Sequence, residues 1–301
     1  MSSQFSFKGV ATALGTPMHL ADGTVDEGAL RLLVEFQITN GVNGVVPCGT
    51  TGESATLNHA EHHHAMDVVV EQSGGRVPVI IGAGSNSTRE AISLTQHARA
   101  IGANAVLSIA PYYNKPTQEG FYQHYKAITD SVEVPIFLYN VPARTGGNIK
   151  ADTTLRIAEL PGIAGFKEAS GNIQQIMEIL RRRPTHFTVL SGDDALTLPL
   201  MALGADGAIS VVANEAPLLF SPMVRLCVEE KFPEARVVHE ELLNLMSLNS
   251  IESNPIPVKS ALAMMEMIEE AYRLPLTPMM DEHRFAVRRA REELHSLEPH
   301  Q

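Results

Sequence analysis

Val77-Pro-Val-Ile-Ile-Gly-Ala83 is a short apolar run, followed by the polar turn Gly84-Ser-Asn-Ser87. Ala91, Leu94, Thr95 and Ala98 then recur at helical spacing, and Ala105-Val-Leu-Ser-Ile-Ala110 is apolar again. Nearly continuously apolar, the two short runs read as strands covered on both faces, and the segment between them as an amphipathic helix. Ser87-Thr-Arg-Glu90 has the pattern of a capping box and is predicted to open that helix. This is one strand–helix–strand unit. The same alternation runs along most of the chain.

Working outward, strands are predicted at Val10–Thr16, Gly44–Cys48, Val77–Ala83, Ala105–Ala110, Pro135–Val141, Ile163–Lys167, Phe187–Ser191 and Ala208–Val212. Eight such units fit a (β/α)8 TIM barrel, a fold of typically ~250 residues. An open doubly wound sheet fits less well, because nothing in the pattern marks a strand-order reversal. The barrel is assigned to residues 1–232. Residues 233–301 form a C-terminal helical extension, with helices at Glu234–Leu248, Val258–Tyr272 and Asp281–Leu297. No flexible linker divides the two, so one structural unit is expected.

Composition narrows the function. Of 301 residues, 44% are apolar and 19% charged, an ordinary balance for a folded domain. The formal net charge of −11 disfavours nucleic acid, whose phosphates call for a basic surface. Arg181-Arg-Arg183 reads as a solvated helix end. Two widely separated cysteines, Cys48 and Cys227, give neither a disulfide frame nor a thiolate zinc site. No window is long and apolar enough to span a bilayer, and the first residues do not form a signal peptide. The expectation is a cytoplasmic protein.

Lys167 closes the apolar run Ile163-Ala-Gly-Phe-Lys167, where a charged side chain is unusual. An amine held out of water gives up its proton more readily, and a neutral amine attacks ketones. Lys167 is thus a candidate Schiff-base nucleophile. Gly49-Thr-Thr-Gly-Glu53 follows the second strand, and its hydroxyls and backbone N–H groups suit a substrate carboxylate. Tyr139-Asn-Val-Pro-Ala-Arg144 follows the fifth, with a phenol for proton transfer and a guanidinium for a second carboxylate. A lone strand-end lysine is more often a rim residue, and Gly-Thr-Thr-Gly alone is a common turn. Convergence of all three at the carboxyl ends of barrel strands, where barrel active sites lie, favours chemistry.

With Pro111-Tyr-Tyr-Asn-Lys-Pro116, Gly165-Phe-Lys-Glu-Ala-Ser170, Ser191-Gly-Asp-Asp194 and Asn254-Pro-Ile-Pro-Val-Lys259, these strings resemble the dihydrodipicolinate synthase/N-acetylneuraminate lyase family over essentially the whole chain. The resemblance implies a Schiff-base lyase that condenses pyruvate with L-aspartate 4-semialdehyde, in lysine and diaminopimelate biosynthesis. It implies that Lys167 carries the imine, with no separate cofactor. Tyr139, Thr50 and Tyr113 would relay protons, Tyr113 reaching in from a neighbouring subunit of a homotetramer built as a dimer of dimers. Thr51 would hold the pyruvate carboxylate, Arg144 the second carboxylate, and the carbonyls of Gly192 and Ile209 would line the pocket. Ser54, Ala55, His59, His62, Asn86, Glu90 and Tyr112 match positions that surround the inhibitor L-lysine.

Rival readings keep the amine and change the aldehyde, as in sialic acid or keto-deoxy-sugar lyases, or keep only an amino-acid sensor. Thr50-Thr51 with Arg144 leans away from the first, and the intact Lys167, Tyr139 and Thr50 set away from the second. His59, His62, His63 and His64 suggest metal at first sight. Adjacent helical residues point ~100° apart, so the triplet cannot share one ion, and exposed helix histidines are expected. No metal is assigned. Met264, Met265 and Met267 read as helix packing. Gly82-Ala-Gly84 lacks the rest of a dinucleotide fingerprint and reads as a strand–helix loop.

Overall fold

The computed structural model describes residues 5–295. Its strands are β1 (Gly9–Ala13), β2 (Gly44–Val46), β3 (Ile80–Gly82), β4 (Ala105–Ile109), β5 (Ile136–Asn140), β6 (Ile163–Glu168), β7 (Thr188–Ser191) and β8 (Gly207–Ser210). All neighbours pair in parallel, in the order β2-β1-β8-β7-β6-β5-β4-β3. A single bridge, Val45 to Val79, joins the two ends and closes the ring. At that seam the Gly82 N–H donates to the Pro47 carbonyl at 2.9 Å. A Cβ on Gly82 would lie 2.1 Å from the Cys48 carbonyl oxygen, so the seam admits only glycine there.

The helices are α1 (Glu27–Thr39), α2 (His59–Ser73), α3 (Thr88–Ala100), α4 (Gln118–Ser131), α5 (Pro142–Thr145), α6 (Ala151–Ala158), α7 (Ile173–Arg182), α8 (Thr197–Ala202), α9 (Pro217–Val228), α10 (Phe232–Leu248), α11 (Ile256–Met264) and α12 (Asp281–His295). Side chains alternate between two apolar layers, as the pleat requires. Ala11, Val46, Phe137, Leu190 and Ile209 fill the barrel interior. Val10, Val45, Ile136, Leu138 and Val189 pack outward under the helices.

Several expectations change. Ser87 caps α3 with its backbone but makes no side-chain capping bond. Glu90 turns instead to the Ser85 hydroxyl and to His59, so the predicted capping box does not form. A reciprocal box exists elsewhere, between Asn58 and Glu61 at the start of α2. The helix expected over Val258–Tyr272 ends at Met264, because Glu266 adopts a left-handed conformation (φ 59°) that an α-helix cannot contain. Met265 and Met267 still pack, but outside a helix. Residues 296 and 297 of the third predicted helix lie outside the described residues, as do residues 1–4 of the barrel assignment. Arg183 is not a solvated helix end: it leaves α7 and clips onto Asp206 and the Gly204 carbonyl. The histidines also diverge. His62 is buried and its Nε2 lies 2.9 Å from the Gly82 carbonyl, while His63 stacks on His97 at 3.9 Å.

Candidate active site

Lys167 is the fifth residue of β6, pairs in register with Tyr139 of β5, and is only 5% exposed. Its Nζ lies 4.3 Å from the centroid of the Tyr139 ring. A register shift puts it there. Ile136 pairs with Ile163 but Phe137 pairs with Gly165, so β6 carries one extra residue. Such a bulge re-aims the side chains beyond it. Ile163 and Phe166 both pack outward, and Lys167 then points inward beside Tyr139. Gly165 permits the bulge: a Cβ there would meet the Thr188 carbonyl at 2.5 Å and the Phe137 ring at 2.6 Å.

The next residue, Glu168, is buried on the opposite face. Its carboxylate accepts from the Ser170 N–H (2.7 Å), Asn140 Nδ2 (3.1 Å) and Gln175 Nε2 (3.3 Å). Burial raises its pKa, and those hydrogen bonds oppose the rise. Sequence reading missed this network, although Asn140 and Glu168 lie in the quoted strings. It anchors the end of β6 to α7 directly beyond Lys167. On the other side, the stem of Lys167 packs against Gly192, where a Cβ would fall 2.9 Å from Lys167 Cε. Ile209 is buried in the interior cluster that also contains Tyr139.

The Gly49–Glu53 loop follows β2. Thr51 is buried, and its Oγ1 accepts from Asn254 Nδ2 at 3.1 Å. Glu53 takes a left-handed conformation (φ 51°), and its carboxylate receives Lys259 Nζ at 2.5 Å. Both side chains are essentially inaccessible, and burial lowers the pKa of Lys259 against the pull of Glu53. The extension thus holds the loop at two points.

Thr50 and Arg144 line a cavity of about 570 Å³ together with Ser54, Ala55, His59, His62, Glu90 and Tyr112. Six of the seven residues matched to an inhibitor site therefore share one cavity. Asn86 is not among its walls; its carbonyl accepts from Asn114 Nδ2 at 2.9 Å. Glu90 bridges the Ser85 hydroxyl and His59 Nε2, the latter at 3.2 Å. Arg144 is exposed on α5, and no carboxylate pairs with it among the described residues. Tyr113 is 88% exposed, and its backbone is left-handed (φ 69°).

One further cluster has ligand-like geometry: His19, Asp26 and Glu269, with donor atoms within 4.8 Å of one another. It lies where the β1–α1 hairpin meets the extension, outside the strings discussed above. Among the described residues no helix is long and apolar enough to cross a membrane.

The model of the dihydrodipicolinate synthetase family matches residues 6–294. The 4-hydroxy-tetrahydrodipicolinate synthase of Prosthecochloris aestuarii is 51% identical over 283 residues, 94% of this chain and 95% of that one. Two solved structures superpose closely. The chloride-inhibited dihydrodipicolinate synthase of Acinetobacter baumannii, complexed with pyruvate, is 44% identical with a TM-score of 0.94, covering 96% of this chain and 99% of that one. The enzyme of Cyanidioschyzon merolae with lysine bound is 38% identical with a TM-score of 0.93, covering 96% and 98%.

Proposed function

Because the chain belongs to the dihydrodipicolinate synthetase family, we propose that it is a 4-hydroxy-tetrahydrodipicolinate synthase, condensing pyruvate with L-aspartate 4-semialdehyde. The observation that carries this reading is the buried amine of Lys167 beside the Tyr139 ring at the barrel mouth. Lys167 attacks the pyruvate ketone and, with loss of water, forms an imine; no other cofactor takes part. Loss of a methyl proton gives the enamine, which adds to the aldehyde. The amine of the second substrate then closes the ring and displaces Lys167. Tyr139 and Thr50 move the protons, completed by Tyr113 of a neighbouring subunit. In the isolated chain Tyr113 projects into solvent, which suits a residue serving another subunit's site, and the assembly is a homotetramer.

Thr51 binds the pyruvate carboxylate, and Gly192 and Ile209 border it. Arg144, unpaired at the cavity rim, receives the carboxylate of the semialdehyde by its bidentate fork. L-Lysine inhibits by occupying the cavity at Ser54, Ala55, His59, His62, Glu90 and Tyr112, with Asn86 beside it; Glu90 pairs with its ammonium. Two free, buried cysteines suit a cytoplasmic setting.

Borohydride reduction in pyruvate tests the chemistry: mass spectrometry should find the adduct on Lys167 alone. An adduct elsewhere, or none, overturns the assignment. Coupling to a reductase that consumes the cyclic product then tests the aldehyde, because a sugar-type lyase would give no signal with aspartate semialdehyde.

A further inference from the structure

We infer that Asn254, from the C-terminal extension, is a positioning residue for pyruvate: it orients the Thr51 hydroxyl so that its proton points at the substrate carboxylate. The inference rests on the reading of Thr51 given above. Asn254 Nδ2 lies 3.1 Å from Thr51 Oγ1, and Thr51 is 2% exposed. An amide nitrogen can only donate, whereas a hydroxyl has one proton and two lone pairs. With a lone pair engaged by Asn254, the hydroxyl proton is directed away from the extension. This is the single hydrogen bond of the Thr51 hydroxyl among the described residues.

The amide is itself held firmly. Asn254 precedes Pro255, whose carbonyl accepts from the Lys259 N–H at 3.0 Å, and Lys259 is locked to Glu53 at 2.5 Å. The Ile256 carbonyl accepts from the Tyr272 hydroxyl at 3.0 Å. Asn254 therefore stands on a segment fixed to the same loop that carries Thr51. It also lines the cavity shared by Thr50 and Arg144. The Asn254 Oδ1 is buried without a partner, so among the described residues the Thr51 contact is the one hydrogen bond of this side-chain amide. Asn254-Pro-Ile-Pro-Val-Lys259 thereby gains a role that the barrel mouth alone does not supply.

The test compares Asn254→Ala and the isosteric Asn254→Asp in the native chain and in a Thr51→Val background. Its readout is the pyruvate concentration that half-saturates borohydride labelling of Lys167, with the KM for the aldehyde measured alongside. Leaving the Thr51 proton free to turn away from the carboxylate should raise the half-saturating concentration roughly tenfold in Asn254→Ala. Asn254→Asp, an acceptor that draws the hydroxyl proton to itself, should raise it further. The aldehyde KM should change little, and in Thr51→Val the Ala substitution should add less than about twofold, as expected for coupled partners. Equal effects of Asn254→Ala in both backgrounds, equal changes in both substrates, or native labelling by Asn254→Asp would each overturn the inference. Absence of labelling in the native chain would instead overturn the reading of the site.

Discussion

Tyr139 and Lys167 occupy one rung of the barrel, paired across β5 and β6 with the amine 4.3 Å from the phenol ring centroid. The ring face packs against the amine while the hydroxyl extends beyond it, so packing and proton transfer can be separated. Tyr139→Phe keeps the ring and should leave the unfolding midpoint within a degree or two of the native value. Turnover should fall by about 10²–10⁴, the usual scale for a lost proton relay. Steady-state kinetics beside a thermal melt would decide; a rate within threefold of native removes the hydroxyl from the mechanism.

Gly192 should be intolerant of a single methyl. A Cβ there would come within 2.8 Å of Ala169 Cβ and 2.9 Å of Lys167 Cε. Such overpacking costs about 1–3 kcal/mol, and here the softer neighbour is the lysine stem. Gly192→Ala should therefore lower kcat and slow pyruvate labelling of Lys167 far more than it lowers stability. A variant that labels at the native rate would show that the stem has room.

These features were unevenly legible in the sequence. The βα alternation and the three strings at strand ends came through because both depend on local pattern. Short, nearly continuous apolar runs mark strands covered on two faces, and the ends of those runs mark the barrel mouth. The direction in which Lys167 points did not come through. Alternation counted from Ile163 would turn it outward, and only the bulge at Gly165 restores it, a pairing between strands that no local pattern encodes. The fate of Glu90 was hidden for a similar reason. Its spacing from Ser87 fits a cap, but Ser85 and His59 compete for the same carboxylate through tertiary contacts. Asn254 and Lys259 stood in a recognised string, yet their partners Thr51 and Glu53 lie more than 200 residues away.

Breaking the Lys259–Glu53 pair should be severe. Both side chains are inaccessible, at 0% and 1% exposure, and Lys259→Met strands a buried carboxylate whose other contact is the Arg273 N–H at 3.3 Å. Removing one partner of such a pair costs roughly 3–5 kcal/mol, whereas replacing both by apolar groups is often tolerated. Chemical denaturation should show that loss for Lys259→Met and a substantial recovery in Glu53→Leu/Lys259→Met. No recovery in the double variant would mean that the extension needs the charge itself.

Lysine sensitivity should depend on Glu90. Its carboxylate joins His59 on α2 to Ser85 at the end of the β3 loop, facing the cavity, and it does not cap α3. Glu90→Ala should shift the lysine concentration for half-inhibition upward by at least tenfold, while stability changes by about 1 kcal/mol or less. Inhibition at the native lysine concentration would place the inhibitor elsewhere. Isothermal calorimetry with L-lysine separates lost binding from lost coupling.

His124 should set the acid limit of stability. It is buried on α4, with Nδ1 2.9 Å from the Thr88 hydroxyl of α3 and Nε2 enclosed without a partner. Burial pushes its pKa down to about 4, from an ordinary value near 6.5. The unfolded chain therefore binds the proton first as pH falls. Above about pH 6.5 both states carry neutral imidazole and the group has no net effect; between there and pH 4 protonation favours the unfolded chain. The sign is that stability rises with pH across this window, by up to about 3 kcal/mol for this side chain. His124→Asn keeps a polar atom toward Thr88 and cannot take the proton. Its urea midpoint should sit below native at pH 7, because the smaller side chain packs less well, but should fall less between pH 7 and pH 5. Parallel acid dependence in the two proteins would assign the loss to other groups.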